Sequence, residues 1–219
     1  SEEWFELCKF TMEKGKEIGL KTWMYDENSF PSGFAGGHVQ HVMPSSYNEG
    51  ITLIPHTFNT MPDTAGEFYI ILKKSGNEFV DITGDAPGMS GERGNFYAFT
   101  KGFAPASNFT GGYPYVDLLH DSVTETFIKL TMEGYEKVFG EEFGKAVPGI
   151  FTDEPNLGRG TPKGAIRWTP RLFEVFKKTW GYSLIPHLPS LLEETGNWKT
   201  IRHHYYQVVL QMFIDRWAK

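Results

Sequence analysis

The chain has 219 residues, enough for one sizeable hydrophobic core or for one domain with an insertion. Its hydrophobic content of 40% and charged content of 22% are ordinary for a globular protein. With a net charge of −6, the chain lacks the excess of basic residues that is typical of a nucleic-acid-binding protein. No apolar run approaches the ~20 residues of a membrane span. We therefore expect neither nucleic acid nor a membrane as a partner, and the sequence leaves the cellular location undecided.

A single cysteine, Cys8, excludes an internal disulfide and a zinc site built from cysteines. Its helical spacing with Trp4 and Met12 favours a small core residue. The aromatic content of 16% is high. Aromatic rings mostly fill cores, but they also form the flat apolar faces of sugar-binding clefts.

The first segment, residues 1–46, is predicted to contain a helix, a strand and a Gly-rich loop. Residues 2–18 have helical apolar spacing, with Ser1 as the cap and Gly19 as the stop. Residues 20–25 form a short apolar run without strict alternation. Such a run is typical of a strand buried on both faces of a parallel sheet.

The next segment, residues 47–110, is predicted to be an inserted antiparallel β unit. Its strand-like runs are separated by Pro, Gly, Asn and Asp, and residues 73–78 predict a hairpin turn. The runs are "GITLIPHTF", "GEFYIILKK", "NEFVDITG" and "GNFYAFTKG".

The α/β pattern resumes in the last segment, residues 111–219. Residues 113–119 and 147–152 are predicted to be strands, each with an acid near its end. Helices are predicted over 122–139, 170–180 and 198–217.

Acidic residues follow three predicted parallel strands. Because parallel strands joined through helices have their carboxyl ends at one edge of the sheet, we expect these acids to meet at one rim. They are Asp26, Glu27, Asp117, Asp153 and Glu154. An Asp after a strand also often stabilises a turn, so one or two of the five, Asp26 or Asp153 in particular, are expected to bond backbone amides.

Converging carboxyl groups suit more than one chemistry. Glycoside hydrolysis needs two carboxyl groups, one of them kept protonated by burial and by a neighbouring carboxylate. A divalent cation held by clustered oxygens is a second option. A nucleotide site is disfavoured because neither a Walker A nor a G-x-G-x-x-G pattern is present. His38 and His41 lack an evident third ligand, so we assign no metal site to them.

Three stretches together resemble the catalytic barrel of large bacterial glycoside hydrolases of the α-L-rhamnosidase type. They are "WMYDENSFPSGFAGG", "VPGIFTDEP" and "TPRLFEVFKKTWGYSLIPHLPSLL". The resemblance spans nearly the whole chain and implies an α/β fold, a partial (β/α)8 TIM-like barrel interrupted by the antiparallel insertion. It implies carbohydrate as the substrate and hydrolysis of a glycosidic bond. Such relatives are associated with inversion and with bound calcium, although the residues themselves require no cofactor.

The resemblance also implies roles for individual residues. Glu154 falls where barrel glycosidases carry the general acid, and Asp26 and Glu27 fall on the sugar-binding rim of the second strand. We expect Asp117 and Asp153 to contact substrate from the same rim.

Aromatic residues near the predicted rim are candidate platforms for a sugar ring. Trp168 and Phe30 are favoured because predicted loops hold them. Arg159, in the loop after Glu154, is a further candidate to reach a substrate hydroxyl.

A complete barrel needs eight strands and typically ~250 residues, whereas this sequence has three convincing parallel strands. We therefore expect the chain to be a piece of a longer protein that does not hydrolyse glycosides alone. Its expected partners are the remaining barrel strands or a second copy. The alternatives are a non-catalytic carbohydrate-binding domain and a metal-dependent barrel hydrolase of another substrate.

Overall fold

The computed structural model describes residues 1–27, 29–158 and 161–218. The α-helices are α1 (Glu2–Glu17), α2 (His38–Val42), α3 (Ser45–Asn48), α4 (Val123–Phe139), α5 (Leu172–Trp180), α6 (Leu188–Leu192) and α7 (Trp198–Phe213). The strands are β1 (Met24–Tyr25), β2 (Thr52–Thr60), β3 (Ile70–Ser75), β4 (Glu78–Asp81), β5 (Arg93–Gly102), β6 (Ile150–Phe151) and β7 (Ile166–Arg167). None of the helices in these ranges combines the length and the apolar character needed to cross a bilayer.

The chain divides into two compact units, each built from two stretches of sequence. Unit 1 comprises Ser1–Ser46 and Pro105–Asn156, and unit 2 comprises Tyr47–Ala104 and Leu157–Lys219. Unit 1 contains a two-stranded parallel sheet, β1-β6. Unit 2 contains a five-stranded sheet in the order β4-β3-β5-β2-β7.

The predicted TIM-like barrel is wrong. Every pairing in the five-stranded sheet is antiparallel, and the parallel sheet in the described residues has two strands instead of a repeating series. The strand expected at 113–119 does not form. Instead, Asp117 makes a turn in which its Oδ1 accepts the Leu119 N–H at 3.0 Å and its carbonyl accepts the His120 N–H at 2.9 Å. The fold is mixed α/β without a (β/α) repeat.

Unit 1 is organised around α1, α4 and the short parallel sheet. The predicted first helix is confirmed: the Ser1 side chain accepts the Trp4 N–H at 3.3 Å, and Gly19 follows the helix with a left-handed φ of 75°. One core cluster of this unit comprises Met12, Met24, Phe139, Ala146 and Val147. Other residues of the unit are also buried, among them Phe34, Val39, Leu118, Leu119 and Phe127.

Unit 2 is organised around the antiparallel sheet. The four predicted strand runs form β2 to β5, and the predicted hairpin turn joins β3 to β4, with Ser75 opposite Glu78. Strand β5 lies at the centre and pairs with both β2 and β3. One core cluster against this sheet comprises Met61, Ala65, Ile71, Ala86, Phe96 and Ala98.

Candidate functional site

Strands β1 and β6 bring two predicted acidic pairs to one edge of the sheet in unit 1. The Asp26 N–H donates to the last carbonyl of β6 at 3.2 Å, so Asp26 and Glu27 leave β1 where Asp153 and Glu154 leave β6. The Tyr25 hydroxyl donates to Asp153 Oδ2 at 3.0 Å. Both acidic pairs therefore follow the same edge of this two-stranded sheet.

Ser32 joins the two strand ends. Its side chain donates to Asp26 Oδ1 at 2.6 Å and accepts the Asp153 N–H at 2.8 Å. Its own N–H donates to the Asp153 carbonyl at 2.8 Å, and its carbonyl accepts the Tyr115 hydroxyl at 2.6 Å. The residue is fully buried. Sequence reasoning missed Ser32, because a serine between proline and glycine reads as an ordinary turn residue.

Glu27 organises the loop that follows β1. Its Oε1 accepts the N–H groups of Gly33, Phe34 and Ala35 at 2.9, 2.8 and 2.7 Å, and its Oε2 accepts that of Gly36 at 3.2 Å. Gly33 and Gly36 have positive φ angles of 122° and 62°, which glycine adopts without strain. Burial raises the pKa of the Glu27 carboxyl, and the four amide donors oppose that rise. Both carboxylate oxygens hold backbone, so Glu27 is a structural acid.

Asp26 is a buried acid in the middle of the cluster. Burial raises the pKa of its carboxyl, and the nearby Asp153 carboxylate raises it further. Hydrogen bonds from Ser32 and Thr152 oppose the rise. Asp26 therefore holds its proton to higher pH than a free aspartate does.

Glu154 differs from the other acids in exposure and backbone conformation. Its side chain is exposed, and no described residue donates a hydrogen bond to it. Its φ is 43°, in the left-handed region that residues other than glycine seldom adopt. Backbone strain of this kind occurs preferentially at active sites and ligand clamps.

Two further predicted site residues lie in unit 1. Asp117 is buried in its turn, and its N–H donates to the Ser46 carbonyl at 2.7 Å, so it does not follow a strand with the other acids. Phe30 is half-buried and packs edge-to-face on Phe109, with ring centroids 6.2 Å apart. The substrate contacts assigned to both residues stay predictions.

Trp168 and Arg159 complete the predicted set. Trp168 belongs to unit 2 and is 1% exposed, with its ring 5.2 Å from that of Tyr69 and 5.0 Å from the Lys101 Nζ. Its ring is part of the core of that unit and lacks the exposed face that a sugar platform needs. Arg159 lies outside the described residues.

The structure shows a different pair of aromatic rings beside the acids. Tyr25 and Phe151 are opposite each other in β1 and β6, with ring centroids 5.7 Å apart. Both are exposed, at 40% and 56%. Tyr25 is one of the aromatic residues that the sequence places near the rim, although Trp168 and Phe30 are favoured there. Sequence reasoning did not single out Phe151, because the apolar run around it predicted a buried strand.

A metal centre is not built by these side chains. In the ranges that the structure describes, no group of three or more His, Cys, Asp and Glu side chains is placed to hold a metal ion. The carboxylates best placed for calcium, those of Asp26 and Glu27, already accept hydrogen bonds from Ser32 and from four backbone amides. The cluster does not fit the calcium implied by the resemblance.

Comparisons of the chain with protein-family models, with curated proteins and with solved structures gave no match. The resemblance to α-L-rhamnosidase-type hydrolases therefore stays a prediction that depends on the three sequence stretches quoted above. A function has to be argued from the geometry of the acidic cluster itself.

Proposed function

We propose that unit 1 carries the acid site of a carbohydrate-active glycoside hydrolase, with Glu154 as proton donor to the leaving oxygen. The observation that carries this proposal is the exposed Glu154 side chain on a strained backbone, which follows β6 where the paired strand β1 leads into the buried Asp26 and Glu27. Catalysis by a carboxylic acid requires a group that a substrate oxygen can reach. Glu154 meets that requirement, whereas Glu27 is enclosed by four amide donors.

The neighbouring residues have positioning roles in this proposal. Ser32 connects the chain after β1 to the chain after β6 through Asp26 and the Asp153 N–H. It thereby fixes the position of the backbone that leads into Glu154. The exposed rings of Tyr25 and Phe151 offer apolar faces to a sugar ring, while the Tyr25 hydroxyl orients Asp153. A glycoside resting on these rings would present its polar edge to the acids.

The test is Glu154→Gln, made in the natural protein that carries this sequence. Removing a general acid lowers kcat by roughly 10²- to 10⁴-fold while leaving ground-state sugar binding in place. Turnover of a panel of aryl glycosides and calorimetric binding of the free sugars measure the two properties separately. Glu194→Gln, an exposed glutamate of unit 2, is the matched control. Unchanged turnover in Glu154→Gln would remove the proposed role.

A non-catalytic carbohydrate-binding site is the second candidate. It is favoured because three of the five acids have structural roles. Asp26, Glu27 and Asp117 all accept hydrogen bonds from other groups of the protein. For this candidate, sugar binding falls in Tyr25→Ala and no glycoside is turned over by the unmodified protein. A measurable kcat in the unmodified protein decides for the hydrolase.

A further inference from the structure

A cavity of about 600 Å³ lies in unit 1 between α1, α4 and the chain that leads through β1. This volume falls within the ~300–1,000 Å³ of typical small-molecule sites. Much of its wall is aromatic, formed by Trp4, Phe5, Trp23, Tyr25, Tyr135 and Phe139. Glu154 does not line it, but Tyr25 and Asp26 do, so the cavity adjoins the proposed acid site.

The aromatic wall is held in place by contacts within itself. The Trp4 indole N–H donates to the Tyr135 hydroxyl at 3.0 Å. The Phe5 ring packs edge-to-face on Tyr135 at 5.3 Å, and Phe139 lies 5.7 Å from the same ring. Rings fixed before a ligand arrives lower the entropic cost of binding.

The charged side chains on the wall, Asp26 and Glu27, are both acidic, and Ser1 with its α-amino group lines the cavity as well. Asp26 and Glu27 line the cavity together with Ala35 and His38, and no Lys or Arg side chain of the described residues lines it. Both acids are buried, so solvent screens their field less than at an open surface. Aromatic faces attract cations through the ring quadrupole.

We infer that this cavity binds a small aromatic cation. The ring of the ligand packs between the aromatic side chains of α1 and α4, and its positive group faces Asp26 and Glu27. Charge complementarity and the shape of the wall select against an anion of the same size. A neutral analogue keeps the apolar contacts but loses the attraction to the carboxylates and to the ring faces.

Cys8 provides the readout, because it lines the cavity and is the only cysteine in the chain. The rate at which iodoacetamide alkylates Cys8 is measured with three probes of one ring size: benzyltrimethylammonium, benzyl alcohol and benzoate. We expect benzyltrimethylammonium to protect the thiol and to bind about three- to tenfold more tightly than benzyl alcohol. Benzoate should protect least. Equal protection by benzoate, or no protection by any probe, would overturn the inference.

Two matched threonines test the location. Thr11 lines the cavity and Thr179 lies on α5 in unit 2; both are exposed, and each hydroxyl donates to the carbonyl four residues earlier at 2.8 Å. Thr11→Trp fills the cavity and should abolish binding of benzyltrimethylammonium by calorimetry, while Thr179→Trp should bind it as the unmodified chain does. Unchanged binding in Thr11→Trp would place the cation elsewhere and overturn the inference.

A charge variant tests the preference for cations without filling the space. Leu7 lines the cavity and is exposed, so Leu7→Lys and Leu7→Gln are both compatible with the fold. We expect Leu7→Lys to weaken the binding of benzyltrimethylammonium more than Leu7→Gln does. An equal effect of the two variants would contradict the role of charge. Glu154→Gln should leave cation binding unchanged, which separates failure of this inference from failure of the hydrolase proposal.

Discussion

The sheets of the two units are held together by different means. In unit 2, β2 and β5 pair over most of their length, from Thr52 opposite Gly102 to Thr60 opposite Arg93. In unit 1, β1 and β6 pair over two residues each. So short a parallel pair gains little from its own ladder. Its ends are instead connected by the Ser32 side chain, which bonds to Asp26 and to the Asp153 N–H, while Glu27 holds the loop after β1.

The two sheets also differ in what they bury. Phe96 and Ala98 at the centre of the unit 2 sheet are almost inaccessible to solvent, whereas Ile150 and Phe151 of β6 are 45% and 56% exposed. Parallel strands are normally buried on both faces. The sheet of unit 2 therefore buries its central apolar residues in a core, whereas β6 of unit 1 presents its apolar residues next to the acids, where a ligand can contact them.

Removing a core ring should have the largest effect on stability. Phe96→Ala in unit 2 should lower the free energy of unfolding by about 3–5 kcal/mol, because it leaves a cavity beneath the sheet. Phe10→Ala in unit 1 is the control: its ring is exposed, so the change should stay within about 0.5 kcal/mol. Urea denaturation followed by fluorescence measures both. Similar losses would contradict the contrast between the two units.

Removing the polar connection in unit 1 should have the next largest effect. Ser32→Ala leaves the buried Asp26 carboxyl and the Asp153 N–H without their partner, which costs roughly 1–3 kcal/mol. Ser29→Ala, in the same loop, removes only a long 3.4 Å bond to the Phe109 carbonyl and should be nearly neutral. If the two variants unfold at the same urea concentration, Ser32 does not hold the strand ends.

The raised pKa of Asp26 makes the stability of unit 1 depend on pH. Its folded-state pKa lies above that of the unfolded chain, so its contribution is complete below the ordinary aspartate pKa of about 3.9 and is lost as pH rises through the raised value. The slope for one such proton cannot exceed ~1.4 kcal/mol per pH unit. The side chain introduced by Asp26→Asn does not titrate, so the stability difference between this variant and the unmodified chain should change as pH rises above about 3.9. Parallel stability profiles for the two proteins would contradict the shift.

Relieving the strain at Glu154 should have the smallest effect, in the stabilising direction. A residue other than glycine in the left-handed conformation destabilises the folded state by about 1–2 kcal/mol, and glycine removes that strain. Glycine also makes the unfolded chain more flexible, which offsets about 0.5–1 kcal/mol of the stabilisation. Glu154→Gly should therefore raise the free energy of unfolding by up to about 1 kcal/mol, since φ there is 43°. Glu154→Ala keeps the strain and should show no gain. Equal midpoints of thermal unfolding for the two variants would contradict this.

The elements that follow local rules were predictable. Helices α1 and α4 follow from apolar spacing, and the four strands of the unit 2 sheet follow from alternation and turn residues. Elements that depend on distant partners were not. The run 20–25 forms only a two-residue strand, and residues 113–119 form no strand at all, because a parallel strand needs a neighbour that the run itself does not encode.

The amino-acid order alone determined which acids follow β1 and β6, and where the long helices begin and end. Only the tertiary structure decided what each acid does. Glu27 accepts four amides of a loop that glycines turn back toward it, Ser32 bonds to Asp153 across 121 positions of the chain, and Glu154 is left exposed on a strained backbone. These roles depend on hydrogen bonds and burial between segments distant in sequence, which no local pattern of residues specifies.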